Sequence, residues 1–352
     1  MGIRIESVDL ATAGDDIVSA VADLDVELRV EACPSEPPLV PATLIATYRN
    51  PPSFARMKTW LAWSEGGELA GCIRLRCFDR PDNRDQAHLA GGVRPSWRRQ
   101  GIAGRLLLPP ALDAAERDGR TILNFEIPEG GPGEPFMSAM GGQRKLRLQR
   151  NVLHVADLDR DLMRRWIDRA QERASDYSLI GWDGPNPSEH AEALPQLFHV
   201  MNSAPTDDLE IEDFVFTPEL VRSAQQANEA QGLRMRTLVA RHDPTGELAG
   251  FTELAVSKWD PTLGWQGDTG VDPPHRNRGL GRWLKASMIL DRLAAWPDLE
   301  RVETGNADSN EDMLSINVEM GFRTAMTVGN WQAPLATLQQ AVAVRRAQGV
   351  AE

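Results

Sequence analysis

Cysteine is scarce in this 352-residue chain: Cys33, Cys72 and Cys77 are odd in number and form no Cys-x-x-Cys pair. That argues against a disulfide framework or a zinc site, no metal is expected, and the three read as small buried hydrophobes. No apolar run approaches the ~20 residues needed to span a bilayer, and the opening MGIRIESVDL lacks the apolar stretch of a signal peptide. The expectation is a soluble, cytoplasmic protein with no membrane partner. Lysine is reduced to Lys58, Lys145, Lys258 and Lys285 in an arginine-rich chain, a bias that suggests a GC-rich bacterial genome. Net positive charge is lacking too. A formal charge of −13 argues against a long polyanion such as nucleic acid, whose binding rests on many Lys and Arg contacts to phosphate. It suits a cationic or amine-bearing substrate, and equally suits solubility alone. The loops Gly-x-x-x-x-Gly-Lys-Ser/Thr and Gly-x-Gly-x-x-Gly are both missing, which removes the triphosphate and dinucleotide cradles.

What is present is a duplication. With 41% hydrophobic and 25% charged residues the chain is globular, and its length exceeds what one core usually serves. GELAGCIRL (Gly67 to Leu75) returns as GELAGFTEL (Gly246 to Leu254), and RRQGIAGRLL (Arg98 to Leu107) returns as RNRGLGRWLK (Arg276 to Lys285). Two copies at this period indicate tandem domains and not a solenoid. Each copy runs strand, helical acidic sequence, a two-strand hairpin, a further strand, the basic glycine turn, an amphipathic helix and another strand. The expected architecture is α/β: two tandem domains, each a mixed, mostly antiparallel sheet flanked by helices. The expected boundaries are 1–155 and 177–352, joined by a charged linker helix within 156–176.

The two glycine turns share the pattern Val-x-Pro-x-x-Arg-x-x-Gly-x-(Gly/Ala). Val93 leads to Arg98, Arg99, Gln100, Gly101, Ile102, Ala103 and Gly104. Val271 leads to Arg276, Asn277, Arg278, Gly279, Leu280, Gly281 and Arg282. Proline ends the strand by removing a ladder donor, and glycine permits positive φ and close approach to a ligand. The following helix opens with unpaired amides and a dipole that favour an anion, and rim arginines add charge-assisted contacts to phosphate. These are the requirements of a pyrophosphate cradle.

On these residues the chain resembles the GNAT superfamily of acyl-CoA-dependent N-acyltransferases, present twice. Its layout is similar to that of mycothiol synthase and related actinobacterial acetyltransferases. The resemblance implies acetyl-CoA as cofactor and the loops as its pyrophosphate site. It implies a splay between the strands of Val271 and Glu303, and direct attack of an amine on the thioester in a ternary complex. In NADSNEDMLSINVEMGF (Asn306 to Phe322), Asn310 and Met313 match the family's pantetheine-lining helix, and Gly321-Phe322 its end. The family usually has a tyrosine acid where Asn317 stands here. The first copy has Gly130 in place of the asparagine and Met137 in place of the tyrosine, so the second domain is the expected catalyst.

Chemistry on a thioester needs a neutral amine, a polarised carbonyl and proximity. An amide near Gly270 or Val271 is expected at the carbonyl, and Glu303, Asp268 and, third, Glu253 as the base. Period-two alternation puts Gln266 and Asp268 on one face of their strand. His275 reads as a loop-rim residue. The run DDLEIED (Asp207 to Asp213) falls where the family shapes its acceptor pocket, and reads either as a cation-holding wall or as a solvated loop. The expected partner is a small, possibly cationic amine, the chain being a monomer or homodimer. Alternatives are a non-catalytic acyl-CoA-binding or regulatory protein and an acetyltransferase of protein or peptide amines. A charged-tRNA-dependent aminoacyltransferase lacks the basic stripe it would need.

Overall fold

The computed structural model describes residues 2–349. Along the chain come β1 (Ile3–Val8), α1 (Asp15–Ala32), α2 (Pro41–Arg49), β2 (Ala55–Ser64), β3 (Leu69–Phe78), β4 (Gln86–Val93), α3 (Leu108–Arg117), β5 (Ile122–Pro128), α4 (Gly133–Ala139) and β6 (Gln143–His154). The second half supplies α5 (Arg160–Arg173), β7 (Tyr177–Asp183), α6 (Ala193–Phe198), α7 (Pro218–Ala230), β8 (Leu233–His242), β9 (Leu248–Ser257) and β10 (Asp260–Val271). It ends with α8 (Leu280–Ala295), β11 (Arg301–Ala307), α9 (Glu311–Met320), β12 (Arg323–Pro334) and α10 (Leu335–Gly349). Among the described residues no helix is long and apolar enough to cross a membrane.

Local chemistry explains the element ends. Gly67 and Gly246 take positive φ (80° and 76°) at the tips of the β2–β3 and β8–β9 hairpins, where a side chain would be strained. Asp159 caps α5 by accepting from the Leu162 amide (2.8 Å), and Thr217 caps α7, with Pro218 in its first turn.

Contact clustering divides the chain into two compact units. Unit 1 comprises Met1–Leu148, Thr206–Glu212 and Met326–Glu352; unit 2 comprises Gln149–Pro205 and Asp213–Ala325. In unit 1 the strands run β1-β2-β3-β4-β5-β12, with β4 and β5 parallel and the other pairs antiparallel. One face packs Ala87, Leu89 and Leu123 with Leu107, Leu112, Leu338 and Val342 from the α3 and α10 side. The other packs Leu61 and Cys72 with Val18, Val21 and Leu24 of α1 and Tyr48 of α2. At about 1.5–3 kcal/mol per fully buried large apolar side chain, these two faces hold the unit together.

In unit 2 the order is β7-β8-β9-β10-β11-β6, with β10 and β11 parallel. Leu238, Leu254 and Val256 pack with Leu284, Met288 and Ile289 of α8 and Met163 and Trp166 of α5. On the opposite face Val239 and Phe251 pack with Leu194, Leu197 and Phe198 of α6.

The units do not follow the sequence in order. Residues from Met326 on, which sequence order assigns to the second domain, belong to unit 1, where Val328 to Pro334 pair with Pro128 to Ile122 of β5. The end of β6 belongs to unit 2, beside β11. Each unit is completed by a strand that the other half of the sequence supplies. The expected linker helix is α5, and it is no spacer: Met163, Trp166 and Ala170 are buried in the unit 2 core. Its many charges mark only the outer side of an amphipathic helix. The acidic run is also displaced. Thr206–Glu212 lies on unit 1, where the Glu210 amide donates to Gln332 and its carbonyl accepts from Gln86 and Gln332. Asn83 and Glu212 exchange backbone and side-chain bonds there. Thr206–Glu212 is thus a strap fastened on unit 1, and Asp213 falls in unit 2.

Candidate functional site

The two glycine loops have the same backbone. Arg99 and Gly101 take φ of 65° and 79°; Asn277 and Gly279 take 64° and 86°. Gly279 starts α8 without a side-chain cap, and the first bond of the helix runs from the Trp283 amide to Gly279 O (3.0 Å). The amides of Leu280, Gly281 and Arg282 are therefore left without intrahelical acceptors. A Cβ on Gly279 would meet nothing within 4 Å, so the space above the turn is open. These features fit a diphosphate, and the equivalent turn at Gly101 shares them except that Arg105 lies close by. In unit 1 the helix begins as a π-helical turn, Ile102–Leu107, with the Leu108 amide reaching back to Ala103 O. Pro109 and Pro110 have no N–H to give, which accounts for the widened turn.

The side chains of the loops divide differently from the expectation of a rim of phosphate-binding arginines. Arg98 donates to Val93 O (2.9 Å) and pairs with Glu31 (2.6 Å); Arg276 donates to Val271 O (2.9 Å) and Ser203 Oγ (2.7 Å). Both are staples that hold the loop on its strand. Arg278 lies over the Tyr177 ring and 3.7 Å from Asp176, and Arg282 pairs with Glu319 (2.7 Å). Ile102 and Leu280 are core residues, and only their amides are available to a ligand. Ala103 packs partly into the unit 1 core and Gln100 is exposed. Gly104 lies near the Phe136 ring, and Gly281 near Ile316. His275 is not at the rim. It is buried, with Nδ1 2.7 Å from the Tyr177 hydroxyl, and anchors the turn to β7.

Behind the loop, β10 leaves β11. Their parallel register runs Leu263–Arg301, Gly264–Val302, Trp265–Glu303 and stops there, with the Thr304 hydroxyl still reaching Gln266 O (3.2 Å). On its other edge β10 stays paired with β9 through Gly270–Phe251 and Val271–Gly250. Between Gln266 and Thr269 the β9 register slips, so Gly267 and Asp268 share the place opposite Glu253. That bulge breaks the expected alternation of Gln266 and Asp268. Gln266 turns inward to Thr252 Oγ1 (2.9 Å) and Glu253 O (2.6 Å), while Asp268 is exposed on the side of Glu253.

The face can be identified. Glu253 pairs in register with Thr237 and alternates with Phe251, which packs under α6. Gly264 and Val302 point to the α8 side, so Trp265 and Glu303 share the face of Glu253. Glu303 is buried; Trp265 is exposed, with the Arg150 guanidinium 5.5 Å from its ring. Desolvation first, and the neighbouring Asp268 charge second, raise the Glu253 carboxyl to about 7, against a hydrogen bond from Thr237 that lowers it. Asp268 is itself raised by desolvation, although its side chain is exposed. The sequence ranks Glu253 last of the three carboxylates because nothing in it reveals the bulge.

Asn310 is spent on structure: its side chain caps α9 by accepting from the Met313 amide (3.3 Å). Asn317 is almost fully buried, donates to Asn306 Oδ1 (2.6 Å), and leaves its own Oδ1 without a partner. An orphaned acceptor in the interior costs about 1–3 kcal/mol, and an amide carries no acidic proton.

Unit 1 repeats the frame with other side chains. Aligning the GELAG segments puts Arg74 at the Glu253 position. The last parallel pair before its splay, His88–Asn124, stands for Trp265–Glu303. Arg74 is buried and paired with Asp25 (2.9 Å), which also accepts from the Tyr48 hydroxyl. Asn124 donates to Gln86 Oε1 (3.0 Å) and accepts from Gln332 (2.9 Å).

Residues 26–124 and 194–322 match the profile of the acetyltransferase (GNAT) family, which is more than half of the chain. No curated protein matches the sequence. Among solved structures, a tandem GNAT protein from the clavulanic acid biosynthesis pathway superposes with a TM-score of 0.76 at 25% identity, over 95% of this chain and 99% of that one. A GCN5-related N-acetyltransferase from Sphaerobacter thermophilus superposes with a TM-score of 0.64 at 14% identity, over 95% and 96%. Two glycine loops, two splayed parallel strand pairs and two profile matches agree: the chain belongs to the acetyltransferase (GNAT) family and carries its unit in tandem.

Proposed function

We propose that unit 2 transfers an acyl group, acetyl in the first instance, from acyl-CoA to the amine of a small cationic molecule, by direct attack in a ternary complex. The observation that carries this reading is the Glu253–Asp268 pair, set by a bulge at the open edge of β10, on the face opposite α8. A cationic acceptor would be drawn by Glu253, Asp268 and Glu303, with the exposed Trp265 ring to cover its apolar part. Glu253, poised near neutrality, takes the proton from the ammonium, directly or through one water, and the Asp268 charge keeps its proton affinity high. The Gly279 turn and the α8 amides would hold the CoA diphosphate. When bound, acyl-CoA supplies the thioester and a thiol leaving group of ordinary pKa about 8.5, which departs without an obligatory acid and makes Asn317 compatible with turnover. Unit 1 keeps the turn but has Arg74 where the base would stand, so it binds CoA without transfer.

The test is thiol release and mass-detected acetylation over a panel of polyamines, aminoglycosides and amino sugars, with Glu253→Gln beside the parent. The parent is expected to acetylate at least one amine, with kcat/KM rising as pH passes through about 7. Glu253→Gln should lose about 10²–10³-fold. CoA binding without turnover of any amine would favour the binding-protein reading; acetylation confined to peptides would move the acceptor class.

A further inference from the structure

The α1–α2 face of unit 1 carries a group of cations that its CoA turn does not explain. Arg76 stands in register with His88, and His88 with Asn124, so the three form a row across β3, β4 and β5. Arg74, two residues before Arg76, shares that face, since its guanidinium meets Asp25 of α1 and lies 5.3 Å from the Tyr48 ring of α2. Arg74 is thus neutralised within the fold. Arg76 forms no hydrogen bond or ion pair with any described residue. Its charge is disfavoured by desolvation first and by Arg74 second, although the side chain is exposed. Glu126, farther along the same face of β5, offsets part of this charge. His88 is disfavoured as a cation by burial and then by Arg76, and packs edge-on to Phe78 (5.5 Å). Met57, the register partner of Arg76 on β2, adds apolar surface on the other side.

An exposed guanidinium in a row with His88 and Asn124, with aromatic and aliphatic neighbours and no hydrogen-bonded partner, matches a carboxylate attached to an apolar body. The strap Thr206–Glu212 does not fill this role: Glu210 is directed to Lys145 (3.6 Å) and Glu212 to the Asn83 amide (2.8 Å). In unit 2 the same face carries Glu253 and Asp268, so the two faces have opposite charge. We propose that the α1–α2 face of unit 1 is a binding site for a small organic carboxylate, with Arg76 as its bidentate anchor, His88 as a second donor, and Met57 and Phe78 as its apolar walls. This goes beyond the transfer reaction and does not depend on it, because the site lies wholly in unit 1.

Calorimetry on the full chain with benzoate, succinate and phenylacetate as probes, and putrescine as the cationic control, tests it. At least one carboxylate is expected to bind. Arg76→Met should weaken that binding tenfold or more, Arg76→Lys should retain part of it, and His88→Gln should weaken it about threefold. None of these should alter CoA binding by Gly279→Val protein, which retains only the unit 1 turn. The Lys variant guards against misreading a folding defect as loss of a ligand contact. The proposal is overturned if no carboxylate binds, if Arg76→Met binds as tightly as the parent, or if inorganic phosphate and chloride compete as well as the carboxylates do, which would reduce the site to a non-specific anion sink. Failure of the amine panel above would leave these outcomes unchanged.

Discussion

The two units share a turn, a hairpin and a splayed strand pair, yet the side chains on one face differ, most sharply at the Glu253 position. In unit 2 Glu253 faces Thr237 and Asp268; in unit 1 the aligned Arg74 faces Thr59 and is held by Asp25. Thr237 donates to its carboxylate, whereas Thr59 Oγ1 is buried without a partner. A duplicated frame therefore keeps its backbone devices and frees the side chains on this face to diverge. The Glu253 carboxyl is poorly solvated and held near neutrality; the arginine is neutralised and becomes a structural tie.

The largest effect should come from breaking that tie. Arg74→Met would leave Asp25 partly buried and unpaired, and is expected to destabilise the protein by about 3–5 kcal/mol, read as a lower midpoint in denaturant melts. Acyl transfer per folded molecule should be unchanged.

Lys285 sharpens the comparison in the opposite direction. It is buried in unit 2, 5.4 Å from the Phe322 ring, and desolvation lowers its ammonium to about 7. The aligned residue in unit 1 is the buried Leu107. A lysine whose folded pKa lies below its unfolded value costs stability fully at and below the folded value, and the cost fades as pH rises through the window from about 7 to the ordinary 10.5. Lys285→Leu should therefore stabilise the chain by roughly 1–4 kcal/mol at pH 6, with the gain shrinking by pH 10, in melts over that range. Glu253→Gln should behave as the mirror case. Its raised carboxyl costs nothing below about 4.5 and its full amount above about 7, so that variant should gain stability progressively between those values and keep the gain at higher pH.

The smallest expected effect separates the loops. Gly279→Val and Gly101→Val each force a β-branched residue into positive φ and should each remove one of two CoA equivalents in calorimetry, a loss of about tenfold or more in affinity at that turn. Only the Gly279 variant should lose turnover.

Much of this was legible in the residues. The repeated pentapeptide and the repeated Val-x-Pro-x-x-Arg-x-x-Gly turn disclose two units and their positive-φ turns, because short-range backbone geometry is written in proline and glycine. The bounds of β4, β5 and β11 follow from alternation ended by turn residues. Arg98, Arg276 and Asn310 are legible as parts of a motif, but their side chains serve the frame: a guanidinium or amide on a tight loop satisfies the nearest carbonyl or amide first.

What the sequence alone determined is therefore local: turns, caps, strand periods and the fact of duplication, each set by interactions between residues a few positions apart. The tertiary structure decided the rest. Only packing could assign β12 to unit 1, send the acidic strap to Gln86 and Gln332, insert the bulge that brings Asp268 to Glu253, and align Arg76 with His88 and Asn124 across three strands. Those outcomes depend on which surfaces meet across hundreds of residues and on the dielectric they create there, and neither quantity is carried by any short stretch of chain.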